Sequence, residues 1–173
     1  RDALKTDWLI GMIQPKGKGA EEGDHLYEIG CAGKVVSLTE TEDNRLLITL
    51  SGMIRFKTKQ ELPLHNGYRK FQISWEPFRT DLQPTSEGEI DRDNFERVLR
   101  QYLKSKKIPA KWEEIINTPS SSLLTSLAMQ CPFTVEEKQA LLEARSLLEL
   151  SNLMTSLLTI ATGSNATSST SHH

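Results

Sequence analysis

The apolar residues change their spacing near residue 88, and no single class of secondary structure can satisfy both spacings. From Leu46 the even positions Leu46, Ile48, Leu50, Ile54 and Phe56 are apolar, while Thr49, Ser51, Arg55, Lys57 and Lys59 between them are polar. Period two predicts a long strand with one face on a core, and Gly52 in its middle predicts a bulge or bend. Leu47 and Met53 are the two apolar residues on the outward face. Arg69 to Glu76 repeats the pattern with Phe71, Ile73 and Trp75 inward, and Trp8 to Gln14 and Leu26 to Leu38 are two further strands, the second interrupted at Gly30 and Gly33. Asp43-Asn44 is expected as a hairpin turn and Pro15 to Gly23 as a mobile, solvated loop. Pro77 and Gln83 to Gly88 end the β region, which is expected to form a small antiparallel barrel or half-barrel.

From Ile90 the period is helical. Phe95, Val98, Leu99, Tyr102 and Leu103 share one face, with Asp91 or Asp93 as cap and Pro109 as stop. Trp112, Ile115 and Ile116 form a short helix, and Thr118-Pro119 opens another that carries Leu123, Leu124, Leu127 and Ala128. Thr134 to Glu137 and Ser146 to Glu149 are capping boxes in front of two more helices. The expected fold class is α+β, with a β subdomain over 1–87, a helical bundle of four or five helices over 88–162, and a disordered tail over 163–173, where Gly, Ser, Asn, Ala and Thr cannot build a core. The opening at Arg1, without a methionine and directly before a strand, implies that preceding residues are missing.

The remaining sequence excludes more chemistry than it offers. Lys and Arg number 21 against 23 Asp and Glu, a net charge of −2, so bulk attraction to nucleic acid is not expected. A basic stripe of Arg55, Lys57, Lys59 and Lys70 is the one feature resembling an RNA surface, and no aromatic ladder accompanies it. The two cysteines, Cys31 and Cys131, are expected as reduced, buried thiols in a cytoplasmic setting. No phosphate-binding loop, metal-ligand spacing or nucleophile with a base is present, so no cofactor, metal or catalytic residue is expected. The run from Leu147 to Ala161 is too interrupted by polar residues for a membrane span.

Three segments in order carry a family resemblance: Leu9-Ile10-Gly11-Met12-Ile13-Gln14-Pro15, then Tyr27 to Val35, then Leu47 to Phe56. These resemble the successive strand signatures of the Lon protease N-terminal, substrate-binding domain, and Gln139-Ala140-Leu141-Leu142-Glu143 resembles the family's late helix. The likeness spans Trp8 to Leu158 and is greatest to short, stand-alone bacterial proteins that carry this domain alone. It implies a PUA-like antiparallel β pseudo-barrel followed by a C-terminal α-helical bundle. It also implies an upstream strand and helix, which the sequence lacks before Arg1. The Lon ATPase and Ser-Lys protease modules have no counterpart in the sequence, so the chain is expected not to be an enzyme.

The resemblance implies recognition of unfolded or damaged polypeptides, an ATP-dependent protease to receive them, and at most a weak homodimer. The candidate binding residues are Leu47, Met53 and Arg55, the first two because flexible or apolar side chains on a polar face suit loose recognition. Cover of that face by the helical bundle is an equal alternative. RNA binding through the sheet is the competing function.

Overall fold

The computed structural model describes residues 3–5, 7–17, 25–83 and 90–167. They divide into two compact units, Arg1–Pro84 and Thr85–His173. Residues 18–24, which include most of the loop expected over Pro15 to Gly23, residues 84–89 and the end of the expected tail at 168–173 lie outside the described residues.

The first unit is an antiparallel sheet in the order β1 (Leu9–Met12), β2 (Ile29–Glu40), β3 (Leu46–His65) and β4 (Tyr68–Ser74). Each strand pairs with its neighbour in sequence, and among the described residues β1 and β4 do not pair to close the sheet. β3 runs past Lys59 to His65 and turns at Asn66 and Gly67, both with positive φ. That is the backbone a two-residue hairpin of matching twist requires, and Asn-Gly supplies it at least cost. β2 is not interrupted by its glycines. A Cβ on Gly30 would lie 2.5 Å from the Met12 carbonyl oxygen and 2.6 Å from the Phe56 ring, so glycine lets β1, β2 and Phe56 meet.

The bulge expected at Gly52 is present, and it changes which side chains share a face. Ala32 pairs with Ile54 but Gly33 pairs with Gly52, which leaves Met53 as the extra residue. An extra residue reverses the alternation beyond it. Leu50 accordingly lies where Gly33 faces, and Phe56 lies where Gly30 faces, three residues away on β2. The unbroken even-numbered face of the sequence pattern is thus corrected: Leu50 and Phe56 are on opposite sides of the ladder.

The sheet's buried apolar residues are Ala32, Val35, Phe56 and Phe78. Phe78 comes from a 3-10 segment, Glu76–Leu82, with Pro77 at its start, which the sequence pattern did not indicate. Trp75 stands edge-on to Phe56 at 6.1 Å between ring centroids.

The second unit contains α1 (Arg92–Ser105), α2 (Trp112–Asn117), α3 (Ser120–Gln130), α4 (Val135–Glu143) and α5 (Leu147–Thr167). Phe95, Val98, Leu99 and Tyr102 form the buried stripe of α1 and pack with Leu123, Leu124, Cys131, Leu141, Met154 and Leu158 into one core. The Asp91 carboxylate accepts from the Asn94 N–H to cap α1. Thr134 and Glu137 cap α4 reciprocally. At α5 the Ser146 hydroxyl accepts from the Glu149 N–H, while the Glu149 carboxylate reaches one residue further back, to the Arg145 N–H.

The Arg92 guanidinium links three helices by donating to Glu96 at 2.6 Å, the Ile115 carbonyl at 2.7 Å and the Ser120 hydroxyl at 2.9 Å. α5 continues past Gly163 to Thr167, into the expected tail. Extending a nucleated helix adds one hydrogen bond per residue fixed, so polar composition alone does not end it.

Candidate functional site

The long β2–β3 hairpin outruns both of its neighbours. β1 covers β2 only from Cys31 to Lys34, and β4 covers β3 only from Lys57 to His65. Beyond Val35, whose N–H donates to the Trp8 carbonyl at 2.8 Å, residues 36–40 and 46–50 form a two-stranded ribbon with no third strand among the described residues. The turn is closed by the Thr41 N–H donating to the Arg45 carbonyl at 2.9 Å and the Asn44 N–H to the Thr41 carbonyl at 3.0 Å, with Arg45 paired to Asp43. Asn44 has positive φ, in agreement with a turn at Asp43-Asn44.

The ribbon exposes Val36 and Leu38 from β2 and Leu46, Leu47 and Ile48 from β3. Leu46 and Ile48 are therefore corrected from core to surface. The alternation identifies two faces of a strand, and it carries no information about whether another element covers either of them. The signal that could have found the ribbon is length: a strand of 20 residues cannot be covered by partners of 4 and 7.

The three predicted binding residues have different surroundings. Leu47 pairs with Thr39 near the ribbon's tip and is 65% exposed. Met53 is the bulged residue and is 47% exposed. They stand six positions apart on β3, about 20 Å at the usual rise per residue.

Arg55 is a clamp. Its guanidinium makes two bonds to the Asp81 carboxylate, at 2.6 and 2.9 Å, and its backbone N–H donates to the same carboxylate at 3.0 Å. The guanidinium also lies over the Phe78 ring, 4.5 Å from its centroid. Both charged side chains are largely buried, 18% and 16% exposed, so this pair fastens the 3-10 segment to β3. Burial pushes the Asp81 carboxyl up, but the side-chain and backbone hydrogen bonds from Arg55 together with its charge outweigh that and hold it below the usual carboxylate value.

The other features hold no reactive constellation. Lys57 pairs with Glu28 at 3.1 Å, so two cations of the basic stripe face carboxylates. Cys31 and Cys131 are both free thiols, Cys131 buried as expected and Cys31 only partly buried, and burial raises the pKa of each. Tyr102 and Cys131 both lie in the buried cluster of the helical core. His65 stands edge-on to Tyr68 at the hairpin tip. No group of three or more metal-ligating side chains occurs among the described residues. An open depression along α5 and a groove of about 200 Å³ beside Phe133 and Ile160 are the better-formed concavities of the helical unit. No helix among the described residues is long and apolar enough to cross a membrane.

A family model described as the ATP-dependent protease La (Lon) substrate-binding domain matches residues 1–159. The chain belongs to the Lon substrate-binding domain family. No match to an ATPase or protease module accompanies it. Among solved structures, a Lon N-terminal domain protein from Xanthomonas campestris is similar at 16% identity and a TM-score of 0.59, over 88% of this chain and 78% of that one. The N-terminal domain of a Mycobacterium avium complex Lon protease is similar at 15% identity and a TM-score of 0.51, over 88% of this chain and 90% of that one. At these identities the likeness is one of fold, and it bears out the α+β class read from the two periods. No curated protein sequence matches the chain. Membership in the Lon family assigns substrate recognition in general to the fold and leaves its substrate to be argued from the surface.

Proposed function

We propose that this Lon-type domain recognises non-native polypeptide without catalysis and delivers it to an ATP-dependent protease. The observation that carries the reading is the ribbon: five large apolar side chains, Val36, Leu38, Leu46, Leu47 and Ile48, exposed together on a projecting pair of strands. Large apolar side chains gathered in an exposed region mark interaction sites, and unfolded chains display apolar side chains in no fixed arrangement. A shallow, extended surface suits such chains better than an enclosed pocket does. The two free thiols support a reducing, cytoplasmic setting.

The test is fluorescence anisotropy of a labelled, permanently unfolded protein, with a labelled RNA hairpin in parallel, at two salt concentrations. Polypeptide binding that survives added salt is expected, and Leu47→Ser combined with Met53→Ser should weaken it several-fold while the circular dichroism spectrum stays unchanged. Salt-sensitive RNA binding alone would replace this reading with an RNA-binding one. Unchanged affinity in the double variant would remove these two residues from the surface. Delivery is tested by adding the domain to a purified ATP-dependent protease and measuring how fast the bound chain is degraded.

A further inference from the structure

We propose that the ribbon takes polypeptide as an added β-strand along the Leu46–Leu50 edge of β3, with a preference for apolar segments that carry a basic residue at the end beside the turn. The inference rests on the recognition function proposed above and specifies how that recognition is made.

The Thr41 N–H bonds to the Arg45 carbonyl, which sets the phase of the antiparallel ladder behind the turn. Because bonded and non-bonded pairs alternate, Thr39 and Leu47 exchange hydrogen bonds, and so do Ser37 and Thr49. Leu38, Glu40, Leu46 and Ile48 then turn their N–H and carbonyl groups away from the ribbon. On the β3 edge this leaves the backbone groups of Leu46 and Ile48 facing outward, where no strand pairs with them among the described residues.

The two edges differ in their fitness for a guest. The β2 edge is broken by a register shift at Val36, and bulges of this kind twist an edge away from partners. β3 carries no extra residue from Leu46 to Leu50, and its pairing stays in register from Leu46 to Thr49. From Leu46 to Gly52 it also carries no charge and no proline, the devices that ordinarily keep a strand edge from pairing. The opening has limits at both ends. The turn closes one, and at the other Asp81 already accepts from the Arg55 N–H beyond the Met53 bulge. A guest of about five residues fits between them.

Side-chain and charge chemistry identify the guest. Leu46, Ile48 and Leu38 share one side of the ribbon and Leu47 lies on the other, so a strand beside β3 meets apolar surface on both of its faces. Segments that are apolar on both faces occur in protein cores and reach solvent on unfolding. The turn carries Glu40, Glu42 and Asp43 against Arg45, three acids and one base, for a net charge of −2. A Lys or Arg at the adjoining end of the guest complements it.

The test uses the full chain and a labelled eight-residue peptide of Val, Ile and Thr with a terminal Lys, read by anisotropy. Two further peptides carry N-methyl amides at alternate residues, one on the odd set and one on the even set. Strand addition predicts that one set loses at least about ten-fold in affinity, the scale of roughly one backbone hydrogen bond, while the other stays within about two-fold. Ile48→Pro, which removes the outward backbone N–H, should lose affinity as the sensitive peptide does, whereas Ile48→Ala, which keeps that N–H, should lose less. Replacing the terminal Lys by Glu should weaken binding by about two- to five-fold, less at high salt.

If the parent peptide binds and neither N-methyl set matters, recognition is through side chains only and strand addition is wrong, with the proposed function intact. If neither the peptide nor an unfolded protein binds, the proposed function itself fails. If sedimentation shows a dimer that Ile48→Lys dissolves and the peptide cannot displace, the edge belongs to a second copy and the proposal is overturned.

Discussion

The helical unit and the sheet unit use apolar residues in opposite ways. In the helical unit most large apolar side chains converge, and Phe95, Leu99, Tyr102, Leu124, Met154 and Leu158 are almost wholly buried in one cluster, while Ile116, Met129 and Ile160 remain more than half exposed. In the sheet unit only Ala32, Val35, Phe56 and Phe78 are buried among the described apolar residues, while Val36, Leu47, Leu64 and Leu82 are each more than half exposed. The first arrangement secures a fold by removing apolar area from water. The second leaves that area available, and the sheet unit relies more on ladder hydrogen bonds, the Phe56–Trp75 contact and the Arg55–Asp81 clamp.

The contrast predicts where substitutions cost most. Leu99→Ala, at the centre of the helical core, should destabilise the helical unit by about 3 kcal/mol, because the cavity cannot close among neighbours from four helices. Urea unfolding followed by ellipticity at 222 nm measures it. A loss under about 1 kcal/mol would show a loosely packed core and erase the contrast.

Asp81→Asn should cost the sheet unit about 2 kcal/mol, between the values for exposed and buried ion pairs, read from Trp8 and Trp75 fluorescence in a Trp112→Phe background. The pH dependence follows from the direction of the shift. The Asp81 carboxyl is held below its ordinary value in the folded state, so the folded state binds the proton less readily than the unfolded chain does. The stability from this pair is therefore fully present above the unfolded carboxyl's value of about 4 and is lost as pH falls through the lower folded value. The sheet unit should lose stability below about pH 4, and Asp81→Asn should flatten that acid limb. An unchanged limb would assign the acid sensitivity to other carboxylates.

The same contrast explains which parts of the molecule were legible in the sequence. A helix buries one stripe, so the spacing of Phe95, Val98, Leu99 and Tyr102 stated both the element and its buried face. Thr134 and Glu137 were legible because a capping box is completed within four residues. In the sheet, alternation located β3 but misassigned Leu46 and Ile48, whose exposure depends on where β1 and β4 stop. Asn66-Gly67 was a readable hairpin signal that a focus on alternation passes over. The partner of Arg55 could not be read at all. Asp81 lies 26 positions away on a 3-10 segment without periodicity, and a cation on an outward strand face looks the same whether it meets water or a carboxylate. Of the candidate site, Leu47 and Met53 were visible as exceptions to a pattern, whereas the ribbon around them is a property of strand lengths.

A smaller effect sharpens the helical side. Thr134→Ala removes the hydroxyl that accepts from the Glu137 N–H at 3.2 Å and should cost about 1 kcal/mol in the same 222 nm unfolding experiment. Thr134→Ser should recover most of it, since serine caps equally well. Equal losses in both variants would show that the side chain's packing, and not its capping, matters.

The least effect on stability is expected at Leu47, an exposed residue proposed for binding. Leu47 is 65% exposed on the ribbon, so Leu47→Ser removes few contacts, and the stability of the sheet unit should change by less than about 0.5 kcal/mol. A leucine on a projecting strand in water contributes little to folding, because it remains hydrated in both states. Affinity for non-native polypeptide is the quantity expected to fall in this variant. Measuring both on one variant separates the two uses of apolar surface within a single chain. A stability loss above about 1 kcal/mol would place Leu47 in a core that forms in solution, and the sheet unit would then obey the same rule as the helical one.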